Sequence, residues 1–170
     1  MRPPMPCYPE DMPVARLRTA EMLLVVTLRL FARAWEERDA GAPHGRPDWR
    51  GGLRAIDMPE WGISAFGGLW EMVALSTRRT LDVRCPRCRH LSVDEGRFLQ
   101  TIGLFQQGAG ERAAACLGDW LPPAARRLAA APAEALARAL AEVDLVVPWR
   151  SDAGEVPTHL NAANPDLGLV

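Results

Sequence analysis

Between Met22 and Trp35 apolar side chains are so dense that only a helix covered over most of its circumference accounts for them. Leu17, Leu24, Leu28, Phe31 and Trp35 recur at helical spacing. Met22, Val25, Val26 and Leu30 widen the apolar surface beyond a single stripe. Such a helix lies centrally in a core or in a subunit contact. Arg29 and Arg33 interrupt the run, which is too short and too charged to span a bilayer. The pattern predicts a helix capped by Asp11, with Pro13 in its first turn, that runs to about Arg38.

Further helices follow from the same periodicity. Asp48 to Met58 forms a short one, weakened by Gly51 and Gly52. Pro59 opens another, with Ile63, Phe66, Leu69, Trp70 and Val73 on its apolar face up to about Thr77. Ser92-Val93-Asp94-Glu95 is a capping box with acidic residues in the first turn. It starts a helix whose core face is Phe98, Leu99, Ile102 and Phe105, and Gly108 and Gly110 end it. A helix over Glu111 to Trp120 comes next. After the Pro122-Pro123 break, two short alanine-rich helices are expected over 123–130 and 132–142, then an extended Val143 to Val147. These segments share no residue pattern, which excludes a repeat array. Thr80 to Arg84 reads as a short strand. The expected fold is mostly α: a compact bundle of about six helices in one domain, 12–147, with a short β/zinc-knuckle-like turn at 80–91. An extended arm, 1–11, precedes it and a loosely ordered tail, 148–170, follows.

All 20 basic residues are arginine. Without lysine there is no Schiff base and no P-loop lysine on this chain. Abundant Arg and Ala with scarce Ile point to a GC-rich, bacterial genome. A net charge of −1 predicts no global attraction to nucleic acid or anionic membranes. The residues before Tyr8 contain no apolar run, so no signal peptide is expected and the cytoplasm is the default. Thiols stay reduced there, and two cysteines spaced by two residues bind metal or do redox work rather than form a structural disulfide.

That spacing occurs in Cys85-Pro86-Arg87-Cys88, followed by Arg89 and His90. Zinc prefers four nitrogen or sulfur ligands in a tetrahedron, and a turn of this kind presents two thiolates to one ion, with Pro86 stiffening it. The stretch resembles one half of a zinc ribbon or a rubredoxin-type knuckle over about six residues, with Arg89 where a glycine is usual. A second such pair is missing, so His90 and Cys116 are the nearest further ligands, making a structural zinc site of Cys85, Cys88, His90 and Cys116. His44 is a substitute, Asp82 or Asp94 a poorer one. Cys116 lies among Ala113, Ala114, Ala115 and Leu117, and taken alone it suits a core position better than a ligand's.

No nucleophile elbow, phosphate loop or HExxH occurs, and general acids and bases near a core are few, so no catalytic residue is assigned and the chain reads as a non-enzyme. The function expected is that of a metal-stabilised helical adaptor or regulator that binds a protein partner or a second copy of itself. One alternative is a nucleic-acid-binding regulator using Arg78, Arg79, Arg84, Arg87, Arg89 and Arg97 around the turn. The other is a thiol redox protein or zinc-dependent enzyme. Trp35, Trp70 and Trp120 are expected in the core, and Trp49, Trp61 and Trp149 near turns where a partner could use them.

Overall fold

Six α-helices carry most of the residues that the computed structural model describes, which are 8–39, 48–148 and 150. They are α1 (Thr19–Asp39), α2 (Arg50–Arg54), α3 (Glu60–Ser76), α4 (Val93–Gln106), α5 (Gly110–Leu117) and α6 (Pro123–Glu142). A single 3-10 turn, Val14–Arg16, precedes α1. The chain is thus mostly helical, as its periodicity predicts. The central helix is α4, buried almost continuously from Asp94 to Leu104. Ser92 caps it as expected: its hydroxyl accepts from the Glu95 amide, and Glu95 accepts in return from the Ser92 amide. Gly108 closes it with a φ of 72°, a conformation glycine adopts without cost.

α3 packs chiefly on α6, and α4 on α5 and α6. A row of rings crosses the bundle. Trp35 stacks on Phe31, which meets Trp49 and Phe66; Phe66 meets Phe98, and Trp70 joins Phe98 to Trp120. Trp49 is therefore a core residue, 6% exposed, and not the surface group its position near a turn suggested. Trp61 is 41% exposed, and Trp149 lies outside the described residues.

Three expectations are corrected. The first is the strand at Thr80 to Arg84: among the described residues there is no strand, only one antiparallel bridge between Pro13 and His90. Backbone groups of Asp82 and Arg84 are met instead by the start of α4. Asp94 accepts from the Asp82 amide at 2.8 Å, Glu95 from the Arg84 amide at 3.1 Å, and the Ser92 hydroxyl donates to the Asp82 carbonyl. Extended chain laid over a helix N-terminus needs no ladder partner. The zinc-knuckle-like β turn at 80–91 thus loses its strand. Second, the first helix starts at Thr19. Asp11 has a φ of 57°, which no N-cap adopts, and its carboxylate pairs with Arg84 at 2.7 Å. Leu17 precedes the helix in extended conformation. Third, 123–130 and 132–142 are one helix with Pro132 inside it. Pro132 cannot donate to the Leu128 carbonyl, and Leu128 lies on the exposed side of the helix, 66% exposed. The stripe of Ala129, Ala133, Leu136, Ala137 and Leu140 stays buried across the proline.

The contact of α3 with α6 depends on Gly62. A Cβ there would lie 2.4 Å from the Cβ of Ala139, so the helices touch backbone to side chain. Gly62→Ala is expected to destabilise the protein by about 1–3 kcal/mol through overpacking, although alanine is the better helix former by about 1 kcal/mol. Gly68→Ala, on the same helix with nothing within 4 Å, should be neutral or stabilising. Urea titrations of the two variants side by side test this.

Both ends of the described chain meet on the first turn of α1. The fully buried Glu21 accepts from the Tyr8 hydroxyl at 2.5 Å, the Arg18 amide at 2.7 Å and Arg150 at 2.8 Å through each oxygen. Burial pushes its pKa up, but these donors outweigh burial and hold the carboxylate below its usual range. Burial and the same carboxylate push the Tyr8 phenol well above its ordinary value. The arm 1–11 is described only from Tyr8, and the tail 148–170 only at Pro148 and Arg150.

Candidate functional site

The Cys85–Cys88 turn is mounted on a charged pair inside the bundle. Arg29, placed by α1, is 2% exposed, and Glu95, placed by the capping box of α4, is fully buried. The two meet bidentately, Nε to Oε1 at 2.7 Å and Nη2 to Oε2 at 2.8 Å. The guanidinium also donates to the Cys88 carbonyl at 2.6 Å and the His90 carbonyl at 2.9 Å. Glu95 takes the Ser92 and Arg84 amides as well. Every oxygen of the carboxylate is thereby satisfied, the condition under which a buried ion pair is tolerated. One guanidinium thus links α1, α4 and the loop leaving the cysteines.

The loop is pinned on its other edge by residues 12–14, ahead of α1. The Val14 amide donates to the Arg89 carbonyl at 2.7 Å and the Leu91 amide to the Met12 carbonyl at 2.9 Å. Within the turn the Cys88 amide donates to the Cys85 carbonyl at 3.0 Å. The two Sγ atoms lie 2.9 Å apart, Cys85 exposed and Cys88 partly so. The Cys85 thiol is held below its ordinary pKa by the Cys88 thiol first, then by the Arg87 amide, with the Cys88 amide and the Arg29 charge adding to this. Cys88 is pushed above its ordinary value by Cys85, then by burial. The two thiols titrate as a pair that gives up its first proton easily and its second with difficulty. Beside them runs an open groove of about 410 Å³ between α1 and residues 83–86, lined by Arg33, Glu36, Glu37, Val83 and Pro86.

The other expected ligands are not brought to the turn. Cys116 is 4% exposed in a separate cluster with Leu104 and Ala113, where burial raises its thiol pKa. His90 is exposed, and the fold uses its backbone. The Asp94 carboxylate is engaged by Arg79, the Trp120 indole and the Asp82 amide. Asp82 is exposed, and His44 lies outside the described residues. Among the described residues no three His, Cys, Asp or Glu side chains converge as a metal site would require. Of the six arginines around the turn, Arg79 pairs with Asp94, Arg84 with Asp11 and Arg97 with Asp119. Half of that basic cluster is neutralised within the chain.

Arg29 and Glu95 are the site residues that sequence reasoning missed. Glu95 was visible only as a cap, and Arg29 only as an interruption of an apolar run. A charge on a helix face that must be buried requires a buried counter-charge, and that requirement was the available signal. No described helix is long and apolar enough to cross a membrane. No protein-family model, curated protein or solved structure matches the chain.

Proposed function

We propose that Cys85 and Cys88 bind a zinc ion and that the chain is a non-catalytic, metal-stabilised adaptor or regulator that works through a protein partner. The observation that carries this reading is the turn itself. Two thiols stand together, Cys85 exposed and Cys88 partly so, on a turn closed by the Cys88 amide and held from behind by Arg29. Amide donors and a nearby guanidinium stabilise thiolates, the form that binds metal. A tetrahedral zinc with bonds of about 2.3 Å holds its sulfurs roughly 3.8 Å apart. The sulfurs, 2.9 Å apart, would therefore have to separate by about 0.9 Å to take the ion.

Two thiolates leave two positions of the tetrahedron. His90, two residues past Cys88 and exposed, is the next candidate along the sequence, and its side chain would have to swing to the sulfurs to serve as the third ligand. A partner that supplies the last one is held by the metal, which ties zinc to the adaptor role. Elemental analysis of purified protein is expected to find zinc. Cys85→Ser and Cys88→Ser should each weaken zinc binding by more than the roughly 10–100-fold that loss of an outer-shell partner costs, and each should lower the melting temperature of the zinc-loaded protein. Zinc-free protein, or variants that keep both metal and melting temperature, would contradict the reading.

A further inference from the structure

We propose that the Cys85–Cys88 pair is also a dithiol that reduces low-molecular-weight disulfides and closes reversibly to an intramolecular disulfide. The inference goes beyond the zinc reading and does not depend on it. Four observations carry it. The sulfurs are 2.9 Å apart, so a bond of about 2.0 Å requires them to approach by only about 0.9 Å. The backbone between them is already an i to i+3 turn. Cys85 is exposed and Cys88 less so, which sets the order of attack. The mount does not use the sulfurs, because Arg29, Met12 and Val14 bind backbone groups of 88–91.

The chemistry balances with an external disulfide as oxidant. The Cys85 thiolate attacks one sulfur of RS–SR; the old S–S bond breaks, and one RS⁻ departs to take a proton from water. Cys88 then loses its proton to water, and its sulfur attacks the Cys85 sulfur of the mixed disulfide. A second RS⁻ leaves and is protonated. Two electrons pass from the protein to the reagent, one Cys85–Cys88 bond forms, and two RSH are released. Closure consumes both zinc-binding thiolates, so oxidation and metal binding exclude each other.

The test uses the full chain carrying Cys7→Ser, which leaves Cys85, Cys88 and Cys116, after treatment with a chelator and a reductant. Incubated folded with excess oxidised glutathione and then titrated under denaturing conditions, it should fall from three free thiols to one. Intact mass should show two hydrogens lost and no glutathione retained, and dithiothreitol should restore all three thiols. Cys88→Ser added to this chain should trap one glutathione, and Cys85→Ser should react far more slowly. A titre that stays at three overturns the proposal, as does a glutathione adduct that persists while Cys88 is present. Zinc content, measured separately before chelation, decides the metal reading. A zinc-free protein that oxidises in this way supports the dithiol and removes the zinc.

Discussion

Arg29→Met is expected to cost about 3–5 kcal/mol of folding stability, the range for breaking a buried pair by deleting one partner. The reason lies in what remains. Glu95 is fully buried and would keep only the Ser92 and Arg84 amides against its charge. The Cys88 and His90 carbonyls would each lose a donor. The loss therefore reflects groups left unpaired rather than the net worth of the pair. Replacing Glu95 by leucine as well removes the stranded charge but leaves the Ser92 and Arg84 amides and the Cys88 and His90 carbonyls without these partners, so Arg29→Met with Glu95→Leu should recover only part of the loss. Urea unfolding followed by circular dichroism measures both. A single-variant loss below about 1 kcal/mol would mean that water reaches the carboxylate and that the site is open where it is described as closed.

Phe98→Ala is expected to cost about as much, 3–5 kcal/mol. Phe98 is fully buried on α4, edge-on to Phe66 with ring centres 6.1 Å apart and to Trp70 at 4.9 Å. Truncation opens a cavity in the middle of the ring row, where helices on both sides hold the walls apart. Phe98→Leu, which fills most of the volume, should cost under about 1.5 kcal/mol if the neighbours repack. Equal losses for the two substitutions in the same titration would show that ring geometry, not volume, dominates here.

Helices whose signals are local were legible in the sequence. Ser92, Glu95 and Gly108 lie within or beside α4 and mark its ends by their own hydrogen bonding and φ. Where a distant group supplied the partner, the reading failed. The extended pattern at Thr80 to Arg84 was visible, but the carboxylates that replace a neighbouring strand lie about 12 residues away on α4. The two helices expected over 123–130 and 132–142 are one, because the alanine stripe packed beneath Pro132 outweighs the roughly 3 kcal/mol that proline costs inside a helix. Trp49 looked superficial because the rings that cover it, Phe31 and Phe66, come from α1 and α3. The same division runs through the candidate site. The cysteine pair was legible from its spacing; its mount was not, since Arg29 precedes Cys88 by 59 residues.

The clasp at Glu21 has a mechanical consequence. Because Tyr8 and Arg150 hold the same carboxylate, a load applied between the two ends of the described chain falls first on a few hydrogen bonds at the surface end of α1. Those bonds act as a fuse. Pulling Tyr8 away from Arg150 therefore requires these bonds to break, whatever becomes of the ring row and the cysteine loop.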